Sequence, residues 1–403
     1  MLRPFLVLFF VTSALIFAQT PSSTNFGNQP GTVLSNGKLQ LVVLTKGGSI
    51  ASVVMSDDPE KLNPMWNTTG RGGEFNGING HFVAVDGFGQ PSAEERGAGL
   101  PQHGEGHTLQ YNLKPERNGN TSSLTLSGLM PIVQENFTRA YSMVDGENVI
   151  YVDSKLENLM GFDRPVNWAE HATVQAPFVE PGKTTFYVSG KRSQDRPYAA
   201  PAAAAPAAGG GGAAGGGRGG RGGRGGGGGS VRRIVSGADF TWPMSPGLDG
   251  KPVDMSIVPD DPHYTDHTAT LLDPTRKLVW LAALNTSRRS IFGYMLRRED
   301  YPWLQTWDNY PNVAGLVHGM EFSTQPYDLA RRIITDNGPL FETPVWRWLP
   351  AKSTIESHFI LFYAHVPDGF SRVDSVELQN GQIVIEDRSA QKKISLAASR
   401  GLQ

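Results

Sequence analysis

Cysteine is absent from the 403 residues, which excludes disulfide staples, thiolate nucleophiles and Cys-ligated metal centres. A chain of this length can take its stability from an apolar core instead. An excess of charge is also missing: 36 basic against 38 acidic residues leave a formal net charge of −2. That excludes a strong overall attraction to polyanions. No Gly-x-Ser-x-Gly elbow and no Walker phosphate loop occurs, and Gly87-Phe88-Gly89 is followed by no helical pattern, so it makes no dinucleotide fingerprint. Long amphipathic helices are lacking too. The best helical segment is a single turn near Pro91–Arg96.

What is present is a succession of short strand patterns. Leu39-Gln40-Leu41-Val42-Val43-Leu44, the turn Lys46-Gly47-Gly48 and Ser49-Ile50-Ala51-Ser52-Val53-Val54-Met55 form a hairpin signature. Similar runs recur at Ser123–Leu126, Val149–Leu156, Thr184–Val188, Lys277–Leu284, His358–Ala364 and Gln382–Glu386. Many short strands separated by turn residues predict an all-β fold, a β-sandwich or a related antiparallel architecture. The opening Met1-Leu2-Arg3-Pro4-Phe5 and the apolar stretch to Phe17-Ala18 read as a secretory signal peptide over residues 1–18. Export to the periplasm or the medium follows as an expectation, with no membrane attachment after cleavage. Residues 19–32 read as a flexible leader.

Residues 199–229 are almost wholly alanine, proline and glycine with Arg218, Arg221 and Arg224. Such a segment buries too little apolar surface to offset its ordering entropy, so a disordered insertion is expected. Three arginines in an exported protein do not make a nucleic-acid site, and no nucleic-acid partner is expected. Strand patterns resume on both sides, which predicts one domain made of residues 33–198 and 230–390.

Carboxylate and imidazole are the chemistry on offer. Glu321, in Gly319-Met320-Glu321-Phe322-Ser323-Thr324-Gln325-Pro326, follows the aromatic run Tyr301-Pro302-Trp303-Leu304-Gln305-Thr306-Trp307. Beside aromatic rings its pKa would rise toward the range of a general base; pointing into water, it would be an ordinary strand glutamate. His103 lies in the glycine-rich turn Pro101-Gln102-His103-Gly104-Glu105-Gly106-His107 and is either a hydroxyl donor or a plain loop histidine. In Trp168-Ala169-Glu170-His171-Ala172-Thr173, strand alternation puts Trp168, Glu170 and Ala172 on one face and Ala169, His171 and Thr173 on the other. His171 is then a site residue or a satisfied core histidine. In His263-Tyr264-Thr265-Asp266-His267, Asp266 could orient a hydroxyl or a histidine. The spacing of His263, Asp266 and His267 matches no specific zinc pattern.

Taken in order, these segments resemble the aldose 1-epimerase (galactose mutarotase-like) superfamily. Leu34-Ser35-Asn36-Gly37-Lys38-Leu39 with Lys46-Gly47-Gly48-Ser49-Ile50 is similar to its first hairpin. Pro101-Gln102-His103-Gly104 resembles its substrate-binding "HG" turn, and Trp168-Ala169-Glu170-His171 its catalytic-histidine strand. Tyr264-Thr265-Asp266-His267 resembles its "DH" segment, and Gly319 to Pro326 its late motif with the general base. The resemblance implies a β-supersandwich in which Glu321 is the base, His171 the acid, and His103 and Asp266 hold sugar hydroxyls. Trp307 would stack on a pyranose, with Trp303 as a second candidate. The family's binding arginine has Arg71 as its best positional match. Glu170 stands where the family has asparagine, and the late motif carries one extra residue between Glu321 and Gln325. The implied activity is anomer interconversion by acid–base ring opening of a small sugar or glycan end. No cofactor and no catalytic metal is required, and a structural calcium ion is compatible with the fold. Two rivals share that fold: a non-catalytic carbohydrate-binding protein, and a glycan lyase or hydrolase with Glu170 or Glu105 as a second carboxylate.

Overall fold

The computed structural model of the chain describes residues 20–68, 79–197, 231–310 and 315–402. The 1–18 segment, the 199–229 tract and Arg71 lie outside the described residues. The described chain is almost entirely antiparallel sheet, as the strand patterns predict.

The larger sheet begins with β1 (Ser22–Phe26), β2 (Gln29–Ser35), β3 (Leu39–Leu44), β4 (Ile50–Met55) and β5 (His81–Val85). It continues through β11 (Trp168–Gln175), β21 (Val317–Ser323), β20 (Trp303–Asn309), β17 (Thr265–Leu272) and β13 (Gly190–Asp195). A ribbon of β14 (Asp239–Thr241), β15 (Met244–Pro246) and β16 (Pro252–Asp254) ends it. The second sheet opens with β12 (Thr184–Val188), β18 (Leu278–Asn285), β19 (Ser290–Arg297) and β23 (Thr354–His365). It ends with β9 (Val149–Asn158), β8 (Glu135–Val144), β7 (Thr121–Met130) and β6 (Asn112–Asn118). A two-stranded pair, β10 (Arg164–Val166) with β22 (Arg347–Leu349), stands apart. So does a three-stranded sheet of β24 (Ser375–Gln379), β25 (Gln382–Asp387) and β26 (Lys392–Ala397).

Three layers result. Leu41, Val53, Val85, Leu124, Phe137, Phe292, Phe322 and Phe359 fill the space between the two large sheets. Val149, Trp280, Ile291, Ile360, Val376 and Ile385 form a second core where the small sheet covers the outer face of the second sheet. In β7 the alternation is plain: Leu124 and Leu126 are buried, while Ser123, Thr125 and Ser127 are only partly covered. In β4, β5 and β21 every residue is buried, so both faces of the larger sheet are covered along these strands.

Two boundaries differ from the sequence reading. Residues 22–35 are a hairpin at the edge of the larger sheet, not a flexible leader. Gly27, at a φ of 61°, with Asn28 makes its two-residue turn, and Leu34 is buried. At the other end the strands run on to Ala397, beyond residue 390. On either side of the 199–229 tract, β13 pairs with β14 through Arg192 and Thr241. The single helical turn near Pro91–Arg96 is α1 (Ala93–Gly97), held by a Ser92–Glu95 capping box. A second helix, α2 (Arg331–Asn337), has no helical signature. Its Ile333-Ile334-Thr335 run favours strand, and Ile334 instead docks the helix on Ala269, Tyr327 and Val345.

Between the sheets lies a buried charge. Glu170 on β11 is 0% exposed and accepts from His81 Nε2 at 2.8 Å, Tyr301 Oη at 2.9 Å and Trp168 Nε1 at 3.0 Å. Arg139 of β8 pairs with Oε1, the oxygen that Tyr301 and Trp168 also reach, and donates through Nε to Ser154 Oγ at 2.8 Å. Burial pushes the Glu170 pKa up, but Arg139 and the His81 hydrogen bond override it and hold the carboxyl at about 2. Removing one partner of such a pair leaves an uncompensated charge, so Arg139→Met should cost about 3–5 kcal/mol in urea unfolding at pH 7. Because the folded pKa lies below the ordinary value of 4.5, the stabilisation is complete above that value and fades as pH falls toward 2. The stability gap between wild type and Glu170→Gln should therefore shrink on acidification from pH 6 to 3. A gap independent of pH would contradict the buried ion pair.

Candidate acid–base site

β11 and β21 are antiparallel neighbours, with Ala169 opposite Ser323 and Thr173 opposite Gly319. This register puts 169, 171 and 173 on the same face as 319, 321 and 323. Met320 and Phe322 turn into the core between the sheets, so His171 and Glu321 turn away from it. Their side chains meet: His171 Nε2 lies 3.3 Å from Glu321 Oε1, although the two are 150 residues apart in sequence. Gly319 makes room, since a Cβ there would sit 2.6 Å from Glu321 Oε1.

The pair is dry. His171 is 5% exposed and Glu321 2%. Burial holds the Glu321 carboxyl well above the usual carboxylate range, and the negative charge of Asp328 adds to the effect. Burial also pushes the His171 imidazole down to about 3. Burial therefore favours the neutral form of both groups. His171 Nδ1 is 2.9 Å from Thr173 Oγ1, which holds the ring in place. Phe82 stacks on the imidazole at 4.4 Å and 20°. Trp66 lies parallel to it at 6.4 Å, and Trp307 stands edge-on at 6.1 Å.

His103 joins this group, its ring 5.3 Å from that of His171. It has a φ of 62° and precedes Gly104, so two consecutive residues make the tight turn that points the ring inward. Gly89 N donates to His103 Nδ1 at 3.2 Å, and His103 Nε2 lies 3.1 Å from the side-chain amide nitrogen of Gln102. Burial keeps this imidazole neutral as well.

Four of the six predicted site residues therefore converge: Glu321, His171, His103 and Trp307. Arg71 lies outside the described residues. Asp266 is the correction. It is on the opposite face of β17, pointing between the sheets, where Arg233 donates to it from Nε at 2.6 Å and to Asp308 from Nη2 at 2.9 Å. The next residue, His267, takes the site face, opposite Trp307 in register and with Nε2 3.1 Å from Gln305 Oε1. Alternation separates Asp266 from His267 but cannot say which of the two faces inward.

Other candidates are placed elsewhere. Trp303 is buried against Phe341 and donates to Pro344 O. His263 is exposed and pairs with Asp261. Glu105 accepts from the backbone amides of Ile132 and Val133. Trp66, Phe82, Gln305, Asp328 and Arg196 line the site without a sequence signal that marks them. Among the described residues no group of three or more His, Asp or Glu side chains is arranged to hold a metal ion.

The His171 ring should stay neutral across the ordinary range. Its imidazole NMR resonances should show no titration between pH 8 and 5. A midpoint near the ordinary value of 6.5 would mean that the pair is open to water.

No family model matches the chain, and no curated protein matches it in sequence. Solved structures do match in shape. A galactose mutarotase-like protein from Clostridium acetobutylicum aligns over 86% of this chain and 98% of its own, with a TM-score of 0.58 at 10% identity. The galactose mutarotase related enzyme from Lactobacillus acidophilus aligns over 86% and 100%, with a TM-score of 0.53 at 13% identity. At such identities the likeness is one of architecture: the chain has the galactose mutarotase-like fold.

Proposed function

We propose that this protein binds a cyclic aldose and interconverts its α and β anomers. The observation that carries the reading is the buried contact of His171 Nε2 with Glu321 Oε1 in an aromatic-lined site on this fold. Opening a pyranose requires one proton taken from the anomeric hydroxyl and one delivered to the ring oxygen as the C1–O5 bond breaks. The pair holds one proton between two basic atoms, so the member that carries it is the acid and the other is the base. Sequence reading makes Glu321 the base; burial favours the form with the proton on Glu321, in which His171 is the base and Glu321 the acid. Rotation about C1–C2 and closure from the other face return both protons with the roles exchanged.

Each positioned acid or base of this kind is worth about 10²–10⁴-fold. The His103 and Trp307 rings would hold the sugar so that the open aldehyde stays in place. Neither carboxylate named for the hydrolase rival reaches the site: Glu170 faces the core and Glu105 is occupied by backbone amides. A leader over residues 1–18 supports export as part of the proposal. N-terminal sequencing of the mature protein should then begin at Gln19.

Polarimetry on freshly dissolved α-D-glucose and α-D-galactose tests the activity. Wild type should accelerate the relaxation, and Glu321→Gln and His171→Ala should each remove about 10²-fold or more, with the double variant no worse than either single one. Gly319→Ala, which displaces the carboxylate, should lose turnover while unfolding near the wild-type denaturant concentration. Sugar binding without any acceleration by wild type would reduce the protein to a carbohydrate-binding relative.

A further inference from the structure

The polar wall beside the acid–base pair has its hydrogen-bond directions settled by the backbone. Gln305 stands opposite Glu321 in register. Its Nε2 donates to Gln325 O at 3.1 Å and to Ser323 Oγ at 3.3 Å. Ser323 Oγ in turn donates to Gln325 O at 2.5 Å, so it has a lone pair for Gln305. A carbonyl oxygen only accepts, so the amide of Gln305 cannot be reversed. Its Oε1 therefore faces His267 Nε2 at 3.1 Å, and His267 must be the donor.

That assignment has a consequence for the other ring nitrogen. A neutral His267 protonated on Nε2 presents a lone pair at Nδ1, and burial favours the neutral ring. Nδ1 lies 3.6 Å from Asp328 Oδ1, beyond hydrogen-bond distance. That same Oδ1 accepts from Arg196 Nε at 2.5 Å, which fixes its position and leaves it one further lone pair. Arg196 is itself held by its backbone N–H on His267 O at 2.9 Å. Two acceptors facing each other across 3.6 Å repel, and a shared donor relieves the repulsion. The Asp328 side chain is 28% exposed and that of His267 7%, so a ligand would approach from the Asp328 side.

We infer that Asp328 Oδ1 and His267 Nδ1 together accept a hydrogen bond from one ring hydroxyl of the bound aldose, remote from its anomeric carbon. This rests on the proposed function for the choice of ligand. It assigns the hydroxyl-reading role to His267 and Asp328 in place of Asp266. It also sets the substrate class: an uncharged sugar with a donor at that position, since an anionic substituent would meet the Asp328 carboxylate.

The test uses monofluorinated aldoses, because fluorine replaces a hydroxyl in size but cannot donate. Dissociation constants for D-galactose and D-glucose and their 3-, 4- and 6-deoxyfluoro derivatives would be measured by calorimetry on wild type, Asp328→Asn and His267→Phe. Wild type should lose at least tenfold in affinity for one derivative. That penalty should fall below threefold in Asp328→Asn, whose amide can present a donor, and in His267→Phe, which leaves the Arg196–Asp328 pair intact. Equal affinity of wild type for every derivative, or a penalty unchanged in both variants, would overturn the assignment. Polarimetry on the same samples keeps the two questions apart: a fluorine penalty without mutarotation leaves this site standing and removes the catalytic reading, and mutarotation without the penalty does the reverse.

Discussion

Glu170 is the constraint on which the arrangement of the larger sheet depends. An ionised carboxylate 0% exposed would be prohibitively costly alone. Four donors meet it, and one of them, Arg139, comes from the opposite sheet. The pair joins β11 to β8 across the core, while Tyr301 and Trp168 enclose it in aromatic surface. A slip of β11 by one residue would expel Glu170 to the far face and bring His171 into the core. The network therefore does two things at once: it locks the two sheets together and directs His171 outward.

On that outer face the same physics runs in the opposite direction. Among the described residues no cationic side chain is paired with Glu321 as Arg139 is with Glu170, and the negative charge of Asp328 acts on it instead. One carboxyl, tied to a guanidinium, has its pKa held down at about 2; the other, also buried, has its pKa pushed up. The two lie on adjacent strands, on opposite faces of one sheet. Environment rather than residue type separates the structural glutamate from the chemical one. A neutral acid facing a neutral base, shielded by Phe82, Trp66 and Trp307, suits a reaction that only moves protons.

Backbone placement supports these side chains. Gly319 leaves space for the Glu321 carboxylate, and Gly89 lets the chain pass so close to Asp328 that a Cβ would meet its carbonyl oxygen at 2.1 Å. Gly89 also donates to His103 and accepts from the His103 backbone, so one residue links the wall carrying Asp328 to the turn carrying His103. The approach of Gly89 to Asp328 joins segments more than two hundred residues apart, and no local pattern announces it.

Period-two alternation, turn residues and the absence of helical periodicity were enough to determine an all-β chain and its principal hairpins. The histidine and glutamate segments were enough to single out His103, His171 and Glu321. Alternation also determined that Glu170 and His171 face opposite ways; the same rule separates Asp266 from His267 once they are placed on β17. Only the tertiary structure decided which way. A strand shows two faces but not which one meets a core; that is settled by partner strands, here by Arg139 for β11 and by Arg233 for β17. The same holds for Gln305, Asp328 and Arg196, whose roles arise from hydrogen bonds between strands that the sequence keeps far apart.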